Sequence, residues 1–115
     1  MNRTAAIFCV LIAAAVALGA FGQHGLKAVL TATQLGTLDT AVTYLTVQPI
    51  AGLVALRYGL VRPARLLLVG VVLFTGALLA YLGTGWVAVT FAAPVGGLLM
   101  ILAWLWSAWA LWRRV

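Results

Sequence analysis

Four long stretches of this sequence are predominantly apolar, at about residues 5–26, 38–58, 66–82 and 91–111. A helix crossing the roughly 30 Å hydrocarbon core of a bilayer needs about 20 such residues in succession. Together the stretches use nearly all of the 115 residues, leaving only short connections between them. Charged residues make up 7% of the chain, where a soluble domain carries about a quarter. Mean hydropathy is +1.20, so polar surface is too scarce to cover a water-soluble globule. The expected architecture is therefore all-α, a single polytopic membrane domain over residues 1–115 built as a four-helix transmembrane bundle.

The few charges are placed unevenly. Net charge is +6 and the isoelectric point is near 10.9, values that in a soluble chain would suggest nucleic acid. Here Arg3, Arg57, Arg62, Arg65, Arg113 and Arg114 all fall on one side of a chain that crosses four times, and Lys27 alone falls on the other. Lys and Arg in excess mark the cytoplasmic side. Both termini are thus expected in the cytoplasm. The expected partners of the arginines are anionic lipid head groups, and no nucleic acid is expected.

The first run ends in "GAFGQHGLK", residues 19–27. Ala15 and Gly19 form a small-xxx-small pair, and Gly19, Gly22 and Gly25 continue it near one helical face, which lets a second backbone come close. These glycines are not a nucleotide loop, because no strand precedes them and the phosphate-binding lysine pattern is missing. The basic start and the small residues Ala17 and Gly19 also fit a cleaved signal. The apolar run continues through Phe21 and Leu26, longer than a signal core needs, and is read as a span.

The second run is the most polar. Thr31 and Gln34 fit a capping box, placing a helix start near Ala32. At about 100° per residue, Asp39, Thr43 and Thr46 share one face and Thr40, Tyr44 and Gln48 a neighbouring one. Such a band is expected to face the bundle interior or a cavity. Pro49 frees the carbonyl of Leu45 and is expected to kink the helix, with Thr46 and Gln48 placed to satisfy the exposed backbone. Two readings stand: polar glue around a kink, or a solute or ion site at it.

"RYGLVRPAR" makes the turn to the third run, with Pro63 able to open it, and "YLGTGW" makes the turn after it through Gly83 and Gly85. Gly70, Gly76 and Thr75 suit helix contact. Tyr81 and Trp86 fit one interfacial aromatic belt, and Trp109 and Trp112 beside Arg113 and Arg114 fit the other. Pro94 lies in a first turn, where its missing amide hydrogen costs little, and Gly96 and Gly97 follow it. Trp104 and Trp106, deeper in the run, are read as packing groups.

With "GAFGQHGLK", "TAVTYLTVQP", "LFTGALLAYLGTG" and "PVGGLLMILAW" in order, the chain resembles the YgdD-like family of small bacterial inner-membrane proteins, DUF423. The likeness runs from about Ala13 to Trp104. Its most specific part is Gly19, Ala20, Phe21, Gly22, His24, Gly25 and Leu26. Phe74, Gly76, Gly83 and Gly85 match the family's third-span pattern, and Pro94, Gly96, Gly97 and Trp104 its fourth. The family's Tyr-Gln-x-x-His in span two is broken here: Leu45 follows Tyr44, and Gln48 takes the histidine place. The resemblance implies a multi-span membrane protein and brings no established activity.

Chemistry is sparse. His24 is the single histidine and Asp39 the single acid, and both are expected near the outer boundary. They read either as a proton-handling pair or as structural groups, with Lys27 an equal partner for Asp39. One carboxylate cannot supply a paired-acid mechanism, and Ser107 has no histidine or acid at its depth. Cys9 has no second cysteine, and no metal-ligand spacing occurs. No enzyme activity, cofactor or metal is expected. The first functional reading is a helix-packing accessory subunit that joins itself or a larger membrane complex through Gly19, Gly22, Gly25, Gly76, Gly96 and Gly97. The alternative is an oligomeric channel or transporter for a small solute or ion, using Asp39, Thr43, Tyr44, Thr46 and Gln48, with His24 at its mouth.

Overall fold

A computed structural model describes residues 2–115. Four helices follow one another, α1 Asn2–His24, α2 Ala32–Arg57, α3 Val61–Thr84 and α4 Ala92–Trp112, and a short 3-10 turn, Val87–Phe91, leads into α4. No strand occurs among the described residues.

Local chemistry sets the helix ends. At the start of α2, the Gln34 backbone N–H donates to Thr31 Oγ1 at 3.2 Å and the Thr31 N–H donates to Gln34 Oε1 at 2.9 Å, the reciprocal capping box. Its far end is closed by Gly59, whose φ of 76° lies in the left-handed region that favours glycine. Gly59 donates to the Leu56 carbonyl at 2.9 Å and Leu60 to that of Ala55 at 3.0 Å, the paired bonds of a Schellman motif. Leu60 is then buried against the core. Gly85, with φ 70°, ends α3 and donates to the Tyr81 carbonyl at 2.7 Å. Pro63 and Pro94 each fall in the first turn of their helix, where no intrahelical donor is lost.

The helix boundaries depart from the apolar runs, most instructively at the end of α1 and the start of α3. α1 stops at His24, short of the end of its run, where Gly25 donates to the Phe21 carbonyl at 2.6 Å and the chain turns. α3 is longer than its run and takes in Arg62, Pro63 and Arg65, because a helix can continue past the hydrocarbon once its polar groups meet water.

The helices pack in chain order, each against the next, and α1 also touches α3. Backbones come closest where glycine removes the side chain. A Cβ on Gly70 would lie 2.8 Å from the Gly96 carbonyl oxygen, and one on Gly52 would lie 2.6 Å from Phe8 Cζ. Phe8, fully buried, fills the notch that Gly52 leaves and ties α1 to the far end of α2.

The interior is made largely of small residues: Ala15, Ala41, Ala55, Ala64, Ala77, Ala93 and Ala103 are buried. Large apolar groups point out, among them Val10, Val16, Val47, Val69, Leu98, Ile101 and Leu105. In water this arrangement would leave a contiguous apolar surface far larger than a soluble monomer shows. In lipid it is favourable, because tails solvate the large groups and small ones let helices meet. Among the described residues three helices are long and apolar enough to cross a membrane, Asn2–Gly22, Val61–Thr84 and Val87–Trp112. α2 is long enough, but Asp39, its threonines and Gln48 dilute its apolar content.

Candidate functional site

The polar groups gather at the end of the bundle where α1 finishes and α2 begins. Gly22 and Gly19 bring the two helices together there: a Cβ on Gly22 would lie 2.7 Å from Leu38 Cδ2, and one on Gly19 3.5 Å from Val42 Cγ1. Beside this contact is an open pocket of about 340 Å³ whose lining includes Gly19, Gly22, Gly36, Lys27 and Asp39. Leu38 meeting Gly22 sets Asp39 at nearly the depth of His24, and both of those side chains are exposed. His24 does not line the pocket. The side chain of Gln23 lies outside the described residues.

The polar band of α2 does not face inward as a unit, which corrects the expectation from its spacing. Leu38, Ala41, Leu45, Pro49 and Gly52 are buried and occupy the inner face. Their steps of three and four residues form the packing stripe, so Asp39, Thr40 and Thr43 are turned outward and exposed. Thr40 donates to the Gly36 carbonyl at 3.0 Å, Thr43 to that of Asp39 at 2.8 Å and Thr46 to that of Val42 at 2.7 Å. Each hydroxyl therefore spends its proton on its own helix and keeps its lone pairs for an outside partner.

Tyr44 and Gln48 go the other way. The Tyr44 ring centroid is 4.7 Å from that of Phe74 on α3. Gln48 Oε1 accepts a hydrogen bond of 2.8 Å from Trp104 Nε1 on α4. Thr46 and Gln48 are thus committed to Val42 and Trp104, and neither serves the Leu45 carbonyl beside Pro49, contrary to expectation. The helix runs through Pro49 without interruption.

The glycines proposed for packing separate in the same way. Gly19, Gly22 and Gly96 press on another helix, and Gly97 reaches Phe74 at 3.9 Å. Gly25, just past the end of α1, meets only Phe21 of that helix, and a Cβ on Gly76 would meet nothing within 4 Å. Gly52, which has the tight contact with Phe8, was missed by sequence reasoning. Its signal was the 38-41-45-49-52 stripe, which is masked in sequence by the polar residues interleaved with it.

Little else is chemically armed. Ser107 is buried and donates to the Ala103 carbonyl at 2.8 Å. Cys9 is exposed on α1. Among the described residues no three His, Cys, Asp or Glu side chains converge. At the opposite end, Arg114 Nη1 donates to the Tyr58 carbonyl at 2.5 Å, and Arg113 lies 4.7 Å from the centre of the Trp109 ring, a cation–π distance.

Residues 18–97 match the family described as protein of unknown function, DUF423. The chain is 37% identical over 98 residues to a UPF0382 membrane protein of Haemophilus influenzae, covering 78% of this chain and 77% of that one. It is 35% identical over 100 residues to a UPF0382 membrane protein of Staphylococcus saprophyticus, covering 79% and 81%. No solved structure matches. With the apolar helices, these relatives make this a multi-pass membrane protein.

Proposed function

We propose, from the premise that the chain belongs to the DUF423 family, that it is a non-enzymatic membrane subunit crossing four times and assembling with copies of itself through the outward face of α2. The observation that carries this reading is the exposure of Asp39, Thr40 and Thr43 on a bundle whose remaining flanks are apolar. α2 has 26 residues, about 39 Å at 1.5 Å per residue, against a hydrocarbon core of roughly 30 Å. With Arg57 at one boundary, Asp39 comes near the other and Thr43 about 6 Å inside it. A carboxylate facing lipid at mid-membrane costs about 3 kcal/mol, less near the boundary. A second copy would shelter it from lipid, and a threonine hydroxyl that rotates off its own helix can then donate across the contact.

Orientation follows from charge. Arg3, Arg57, Arg62, Arg65, Arg113 and Arg114 gather toward one end, and the positive-inside tendency supports a cytoplasmic side there, in a bacterial inner membrane. Their expected contacts are anionic lipid head groups. The non-enzymatic reading is supported by a lone carboxylate and a serine whose hydroxyl is tied to its own helix.

Cysteine cross-linking in native membranes tests the assembly. In a Cys9→Ala background, Thr43→Cys is expected to give a covalent dimer with a short bifunctional maleimide, and Val69→Cys, also exposed but on α3, is not. Equal yields from both positions, or none from Thr43→Cys, would overturn the reading. The pocket holding Lys27 and Asp39 favours a second reading, in which several copies place these groups around a path for a small solute or ion. Proteoliposomes whose flux is lost in Asp39→Asn would support it.

A further inference from the structure

At the arginine-bearing end, α2 and α4 diverge and leave an open apolar groove of about 430 Å³, with Val54, Ala55 and Tyr58 on one wall and Trp104, Ala108 and Leu111 on the other. The walls run from Ala51 to Tyr58 and from Trp104 to Leu111, about 10 Å along each helix. That is two thirds of the roughly 15 Å of hydrocarbon in one leaflet. Two of the polar groups along it are already committed: Trp104 Nε1 donates to Gln48 and Ser107 to Ala103.

Its mouth is different. Tyr58 lines the groove, and the Arg114 guanidinium sits on the Tyr58 carbonyl. Arg57 precedes Tyr58, and Arg113 lies over Trp109 on the next turn of α4. A guanidinium has five N–H donors, and Arg114 uses one of them on Tyr58. The chain's only acidic side chain, Asp39, is at the other end of α2, so no Asp or Glu stands among these cations.

We infer that the α2–α4 groove is a binding site for one anionic phospholipid, with an acyl chain along Val54, Ala108 and Leu111 and the phosphate at Arg57 and Arg114. The inference rests on the membrane placement proposed above and not on self-association. Charge selects the ligand: a zwitterionic lipid fills the groove equally well but brings an ammonium group to a mouth that is already cationic. Each arginine near a membrane surface is worth about a fivefold preference for an anionic lipid.

Trp104 reports on the site. A chain keeping only this tryptophan, the other four changed to Phe, is reconstituted in phosphatidylcholine with a minor fraction of lipid brominated on its acyl chains. Brominated phosphatidylglycerol is expected to quench Trp104 more strongly than brominated phosphatidylcholine at the same fraction. Arg57→Gln and Arg114→Gln are each expected to cut that preference about fivefold. Ala108→Phe, which fills the groove from an exposed position, is expected to remove quenching by both lipids. A chain keeping only Trp106, outside the groove, is expected to be quenched equally by both. Equal quenching of Trp104 by the two lipids, or a preference untouched by Arg57→Gln, would overturn the site. No quenching of Trp104 while Trp106 is quenched would mean that protein covers the groove, and would overturn it too. No quenching at either position would instead remove the membrane placement, and the site with it.

Discussion

A side chain in this bundle is judged by what stands opposite its Cβ. Gly96 has the backbone of Gly70 and Phe74 against it, so Gly96→Ala pushes main chain apart. Overpacking of this kind costs about 1–3 kcal/mol. Gly76→Ala meets open space, and alanine in a helix interior gains up to about 1 kcal/mol over glycine. Thermal unfolding in mild detergent is expected to show a lower midpoint for Gly96→Ala and an equal or higher one for Gly76→Ala. If both fall alike, close approach at Gly96 is not what the glycine is for. The same reasoning applies to Gln48 and Trp104. Gln48→Leu leaves an indole N–H unpaired and is expected to destabilise by about 0.6–1.7 kcal/mol, the range measured for hydrogen bonds between membrane helices. Adding Trp104→Phe removes the orphaned donor and is expected to recover part of that loss. Fully additive losses in the double variant would mean that the 2.8 Å bond contributes nothing.

At the level of the helix, the ends of α2 were the most legible feature and its faces the least. Thr31 and Gln34 announce the start because a capping box is local: both bonds lie within four residues. Thr31→Ala is expected to cost about 1 kcal/mol, read as a lower midpoint and faster amide exchange over the first turn. Gly59 marks the other end equally locally. Gly59→Ala forces a Cβ into the left-handed region, at roughly 1–2 kcal/mol. Which face turns outward is another matter. Threonines at 40, 43 and 46 and the small or apolar residues at 38, 41, 45, 49 and 52 are two stripes on one cylinder, and either could face a neighbour in a membrane. The choice is made by Phe8 entering the notch at Gly52 and by Gly22 meeting Leu38, contacts between residues far apart in sequence. The sequence therefore names the polar residues of α2 but not the direction in which they face.

Across the whole molecule, hydropathy and charge settled the class, because both are sums over residues and need no contacts. Four apolar runs and six clustered arginines are visible without a fold. The α2–α4 groove was not, since it exists only where two helices non-adjacent in sequence spread apart. Orientation belongs to this scale as well. A reporter fused after Val115 is expected to be active in the cytoplasm, and changing Arg57, Arg62 and Arg65 together to Gln is expected to yield a mixed population with some chains reversed. Reporter activity found only in the periplasm would reverse the inside and outside assigned to every residue.

Helices stacked in chain order have a bearing on how the protein is made. Each segment leaving the ribosome finds its main packing surface delivered just before it, and smaller contacts such as Gln48 with Trp104 close only when α4 arrives. Contacts local in sequence also favour quick folding. Synthesis halted just past Thr84 would accordingly leave a compact three-helix intermediate, with α4 the last wall to be added.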